Sequence, residues 1–165
     1  MKIWCIQIGE PLPVDQEKGR VWRIGLLSRA LLDRGHEVTW WTSTFNHSHK
    51  VHRYNKDTFL EYKNRYRLIL LYGKTYIKNI SVQRVLNHRT IAKKFLLYAR
   101  KEPKPDIILC GLPTLEFCAA ATEYGVENNI PVVLDIRDMW PDIMVDIFPT
   151  WARLLGRVLL SPLFY

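Results

Sequence analysis

The hydrophobic period of this chain changes twice before Ser43, and each change narrows what it can fold into. Lys2-Ile3-Trp4-Cys5-Ile6-Gln7-Ile8 is a nearly continuous apolar run, the pattern of a strand buried on both faces of a parallel sheet. Gly9-Glu10-Pro11-Leu12-Pro13 ends it, because a glycine and two prolines cannot extend a ladder. From Val21 the apolar residues fall three or four apart, at Val21, Ile24, Leu27 and Leu31, which makes one stripe of a helix. Gly35 stands where a left-handed helix stop is needed. Residues 36–43 are then β-branched and aromatic, a second strand. Strand, crossover helix and strand predict a right-handed βαβ unit, the opening of a doubly wound α/β domain.

The same alternation continues. Arg67-Leu68-Ile69-Leu70-Leu71-Tyr72 reads as a third strand, and Ser81 as the N-cap of a helix to about Lys101. Val82, Val85, Ala92, Phe95 and Ala99 form its apolar face, which Arg89 interrupts. Residues 106–110 make a further buried strand, Thr114 caps a helix to about Asn128 carrying Leu115, Cys118, Ala119 and Thr122, and residues 131–136 are a last strand. This order predicts a parallel sheet with helices on both faces. A length of 165 residues supports one domain with a real core. Residues 44–65 have no clean period and read as a mobile surface loop; His47, His49 and His52 within it lack the spacing of metal ligands. No metal or cofactor is therefore expected. Cys5, Cys110 and Cys118 sit in apolar runs and read as reduced core thiols of a cytoplasmic protein. No stretch approaches the roughly 18–20 apolar residues of a membrane span, and charged and turn residues follow the first strand too soon for a signal peptide.

The net charge of +8 is unevenly spread. Between Lys50 and Lys104 fifteen Lys and Arg face only Asp57, Glu61 and Glu102, a net of +12, while the rest of the chain carries −4. Tyr54, Phe59, Tyr62, Tyr66, Tyr72 and Tyr76 are threaded through the same segment. Such a stretch suits an anionic membrane surface or a lipid-linked ligand, and equally a solvated face that keeps the protein soluble. Nucleic acid, which would also be attracted, is not the expected partner.

Ligands of parallel sheets collect at the carboxyl ends of the strands, near the switch in strand order. Residues 9–23, 111–114 and 137–142 are predicted to meet there. In Asp135-Ile136-Arg137-Asp138-Met139-Trp140-Pro141-Asp142 a cation, three carboxylates and an indole surround a strand exit. A carboxylate there can orient or deprotonate a sugar hydroxyl, Trp140 can cover an apolar ring face, and Arg137 can grip phosphate in a bidentate fork. An Arg–Asp pair pinning the loop, with Trp140 in the core, is the alternative.

Gly9-Glu10-Pro11-Leu12-Pro13, Arg20 and Arg23 at the helix start, and the stretch from Arg34 to Ser43 resemble the amino-terminal domain of family 4 glycosyltransferases. Asp138-Met139-Trp140-Pro141-Asp142 resembles the Asp-aromatic-Trp-Pro segment of members that build bacterial surface polysaccharides such as lipopolysaccharide. The similarity runs over essentially the whole chain. It implies a Rossmann-like domain, the acceptor-side half of a two-domain GT-B enzyme. It also implies retaining transfer from a nucleotide-sugar donor to a lipid-linked or saccharide acceptor, without a required metal, at the cytoplasmic face of the plasma membrane. Asp138 is then the candidate catalytic carboxylate. Glu10, Gly19, Arg20, Arg23, Thr114, Arg137 and Trp140 are candidates for binding acceptor or donor phosphate.

Two departures from the family pattern matter. Where members carry a Gly-Gly pair for the donor diphosphate, this chain has Gly19 followed by Arg20, so Arg20 and Arg23 are expected to take over part of that duty. The donor domain is absent, and the apolar end Ser161-Pro162-Leu163-Phe164-Tyr165 reads as a cut within a longer protein. The chain alone is thus expected to be inactive. The other reading is a non-catalytic membrane-surface or nucleotide-binding α/β module, although neither a G-x-G-x-x-G nor a G-x-x-x-x-G-K-[ST] loop occurs.

Overall fold

The computed structural model describes residues 1–15, 20–79, 81–112, 114–136 and 149–153. Two compact units divide the chain, Met1–Asp135 and Ile136–Tyr165. In the second, the described residues include a single 3-10 turn, Thr150–Ala152, closed by the Ala152 N–H on the Pro149 carbonyl.

The first unit runs β1 (Lys2–Ile6), α1 (Arg23–Asp33), β2 (Glu37–Ser43), β3 (Phe45–Asn46), β4 (Val51–His52), β5 (Thr58–Lys63), β6 (Tyr66–Leu71), α2 (Val82–Ala99), β7 (Ile107–Gly111), α3 (Leu115–Asn128) and β8 (Val132–Asp135). Six strands form one sheet in the order β5-β6-β2-β1-β7-β8, and β3 and β4 form a small antiparallel pair. Five of the six strands are mutually parallel; β5 runs antiparallel to β6. The sheet is therefore mixed, not parallel throughout as the sequence predicts. Residues 44–65 are a β-rich excursion instead of a loop. The hairpin escapes sequence reading because β5 is a half-buried edge strand whose outward residues are Phe59, Glu61 and Lys63, and a register shift between Glu61 and Lys63 blurs its period.

Alternation along the strands splits the core in two. Trp4, Ile6, Trp41, Ile69 and Leu71 face α2 and α3, whereas Ile3, Cys5, Trp40, Leu68 and Leu70 face α1. The α2/α3 side is an aromatic cluster. Trp4 stacks on Tyr124 at 5.3 Å, and both Trp4 and Trp41 meet Phe95 edge-on. Such pairs add about 0.5–1.5 kcal/mol each beyond area burial. Helix α1 ends as predicted at Gly35, φ +83°, with the Gly35 and His36 N–H groups bonded to the Leu32 and Leu31 carbonyls.

Two helix faces differ from the sequence reading. In α3 the buried stripe is Phe117, Cys118, Ala121, Tyr124 and Gly125; Ala119 and Thr122 are exposed. In α2 the stripe runs through Ala99, Phe95, Ala92, Ile91 and His88, leaving Val82 in solvent. Arg89 therefore does not interrupt a core face. It lies beside one, and the polar residues on the buried face are Asn87 and His88. Of the aromatic residues of the basic segment, Tyr66 and Tyr76 are each 4% exposed and belong to the interior, whereas Phe59 is exposed and Tyr54, Tyr62 and Tyr72 are half-buried.

Candidate functional site

Because β2 and β7 flank β1, the segments leaving β1 and β7 depart toward opposite faces, α1 on one and α3 on the other. That is the switch in strand order at which a crevice opens in such sheets. The first loop is fixed here from several sides. Glu10, 2% exposed, accepts the Ile24 N–H at 3.0 Å and so caps α1, whose N-cap residue Trp22 makes no side-chain cap. Asp15 accepts the Leu12 N–H at 2.9 Å and holds Arg53 through both oxygens. Burial raises the Asp15 pKa, but hydrogen bonds from Arg53 and the Leu12 N–H outweigh it and leave it below the ordinary carboxylate value. A groove of about 590 Å³ runs below this loop along α1, lined by Leu12, Asp15, Arg29, Tyr62 and Tyr66 among others.

The sequence-predicted residues fall out as follows. Arg23 opens α1 and pairs with Asp135, the last residue of β8, at 2.6 Å. The start of α1 and the carboxyl end of β8 are thus brought together across 112 residues. Thr114 is buried at the N-cap position of α3, where its carbonyl, not its hydroxyl, takes the Cys118 N–H. Arg20 is exposed, three residues before α1. Gly19, Arg137, Asp138 and Trp140 lie outside the described residues.

Sequence reasoning missed a second group on the same rim. His47 follows β3, Tyr76 follows β6, and Arg84 and His88 belong to the first two turns of α2. The Tyr76 hydroxyl lies 2.8 Å from His47 Nδ1, and the His88 ring packs edge-on to Tyr76 at 6.4 Å. Lys50 Nζ sits 5.2 Å from the Tyr76 ring centroid and donates to Asn79 Oδ1, while Arg84 donates to the Asn79 carbonyl at 2.7 Å. His88 Nδ1 faces Glu116 Oε2 at 3.5 Å. Gly9 brings the first loop beside this group, since a Cβ there would stand 4.0 Å from His47 Cβ.

The cations perturb one another. Burial first, then Lys50, Arg84 and His88, push the His47 pKa down. Burial and Arg84 depress Lys50, and burial raises Tyr76. Burial raises Glu116, but its hydrogen bond with His88 and the charges of His88 and Arg89 hold it below its ordinary value. The sequence carried a signal for the α2 members alone. Stepping back in fours from Ala92 puts His88 and Arg84 on the inward face of α2. His52 is occupied differently, with Thr44 Oγ1 at 2.8 Å from one ring nitrogen and Thr75 Oγ1 at 3.1 Å from the other. Among the described residues no three His, Cys, Asp or Glu side chains gather in a metal-ligating group.

Fold and rim together define an α/β protein with a mixed, mostly parallel sheet, polar chemistry at the carboxyl edge of that sheet, and no described helix able to cross a membrane. No family model matches the chain, and no curated protein matches it.

Proposed function

We propose that this chain is the acceptor-side half of a glycosyltransferase, a Rossmann-like doubly wound domain that works with a donor-binding partner domain of the GT-B kind. The observation carrying this reading is the strand order. Without its antiparallel edge it is third-second-first-fourth-fifth, with helices on both faces and the opening loop, α1 and α3 meeting at the β1/β7 switch. The resemblance of residues 9–13, 34–43 and 138–142 to family 4 enzymes supplies the chemistry. Asp138 takes the catalytic role, and Arg20, Arg23, Arg137 and Trp140 bind phosphate or sugar. Glu10 and Thr114 act by holding the loop and α3 in place. The groove along α1 is of small-ligand size and offers the carboxylate, guanidinium and hydroxyl groups that suit a saccharide.

Holding donor and acceptor in line supplies roughly 7–11 kcal/mol of such a barrier, and one half of a cleft forfeits nearly all of it. The test compares the isolated 165-residue chain with the product of the whole reading frame that encodes it. Both are incubated with a mixture of labelled nucleotide sugars and a bacterial lipid extract. Transfer by the longer product, abolished in Asp138→Asn and absent from the short chain, supports the reading. Transfer by the short chain, or none by the longer one with any donor, sinks it. The exposed cations of the basic segment belong to the same reading as a peripheral contact with an anionic inner leaflet, weakening as salt rises.

A further inference from the structure

We propose that His47, Lys50, Tyr76, Arg84 and His88 form a binding site for a phosphoryl group, a dianion carrying several terminal oxygens. The inference is independent of glycosyl transfer and of the residues at positions 137–142.

Three observations meet at this place. The first is a surplus of positive charge gathered by the fold. Lys50 with His47 from the stretch after β3, and Arg84 with His88 from α2, surround Tyr76 on a third segment, and the Glu116 carboxylate faces His88. Cations do not assemble in a half-buried corner without cost, because each loses solvation and repels its neighbours. A bound dianion removes that cost. The second is polar capacity left over among the described residues. Arg84 Nε and His88 Nε2 are buried without a hydrogen-bond partner, although His88 as a whole is only 6% exposed. Buried polar atoms of this kind are rare unless a ligand or water completes them. The third is the start of α2. It is an 18-residue helix with no acidic side chain in its first turn, so its positive end is not neutralised from within that turn. Asn79 connects the parts, taking Lys50 on its side chain and Arg84 on its carbonyl, which holds both cations at one edge.

Guanidinium, ammonium, imidazole and phenol groups aimed at one corner match the three acceptor oxygens of a phosphate better than the two of a carboxylate. The phosphoryl group belongs either to a soluble phosphate ester or to a phospholipid headgroup, and two arms of one experiment separate these sources. In the first, calorimetry at fixed ionic strength follows binding of inorganic diphosphate to the whole chain, with acetate as the control anion. In the second, the chain is sedimented with phosphatidylcholine vesicles containing phosphatidic acid.

Arg84→Gln and Lys50→Gln are each expected to weaken binding at least tenfold. Lys2→Gln, an equal charge change at the amino end of β1, leaves it within twofold. His88→Gln tests the buried imidazole, with the thermal melt of each variant checked first; Lys50→Gln, at a partly exposed position, carries the test if the His88 variant unfolds. Diphosphate binding without sedimentation assigns a soluble ester. Sedimentation lost in Arg84→Gln assigns a headgroup. Binding in neither arm, no selectivity over acetate, or an equal loss in Lys2→Gln overturns the proposal.

Discussion

The Glu10 carboxylate caps α1 by accepting the Ile24 backbone N–H at 3.0 Å, fourteen residues away. The opening loop is thereby tied to the helix it precedes, and a negative charge stands at that helix's positive end. Glu10→Ala is expected to cost about 1–2 kcal/mol in urea unfolding. Glu10→Gln, which keeps an acceptor, should lose less. Equal losses in the two variants would show that the loop is held by other contacts.

Gly125 leaves no room for a side chain. A Cβ there would lie 2.3 Å from Val132 Cγ2 and 2.9 Å from the Ile130 carbonyl oxygen, because α3 turns directly into β8. Gly125→Ala should destabilise by about 1–3 kcal/mol through overpacking. Adding Val132→Ala should recover part of it but not all, since the backbone contact remains. Thermal or urea melts of the single and double variants check both statements.

Asp57 gathers Lys94, Tyr98 and the Tyr72 N–H between β5, β6 and α2. Burial pushes its pKa up, but the hydrogen bonds from Lys94, the Tyr72 amide and Tyr98 prevail and hold it below 3.8. A depressed folded pKa means the pairing stabilises above that value and is lost as pH falls through the lower folded one. Asp57→Asn should therefore cost about 1–3 kcal/mol at neutral pH. The gap from wild type should close as pH drops below 3.8. A gap that stays constant down to pH 2 would contradict the assignment.

Cys5, Cys110 and Cys118 are buried and unbridged. Burial pushes the Cys5 thiol up to about 12, with the Ser28 hydroxyl pulling more weakly the other way. Alkylation requires the thiolate and access to it. Iodoacetamide at pH 8 should leave the folded chain unmodified over an hour and label all 3 cysteines in denaturant, as read by mass spectrometry. An adduct on Cys5 in the folded chain would show that β1 is not the protected centre of the sheet.

Local signals carried most of the parallel framework. The apolar run at Ile3–Ile6, the stripe from Ile24 to Leu31 and the glycine stop at Gly35 each report a period or a backbone requirement within a few residues. The structure places β1, α1 and β2 there. The same method failed at residues 58–63, where an edge strand buries only one side, and at Val82, where propensity marked an apolar residue that the packing leaves in water. The α3 face was misjudged by about one position because a short stripe fits two registers until a partner surface selects one. In α2, Ala92, Phe95 and Ala99 face the core as the sequence predicts, and Trp4 and Trp41 reach Phe95 from the sheet.

The sequence by itself determined that this is an α/β chain, where its first βαβ unit begins and ends, and which glycine and proline positions break it, because those features depend on neighbours within one or two turns. Only the tertiary structure decided that β5 runs against its neighbours, that Glu10 is a buried cap, and that His47, Tyr76, Arg84 and His88 share a corner. Those side chains lie up to 41 residues apart. They meet because β2 and β6 pair in parallel and α2 packs across them. No periodicity in the chain encodes that meeting; it is a product of which surfaces bury each other.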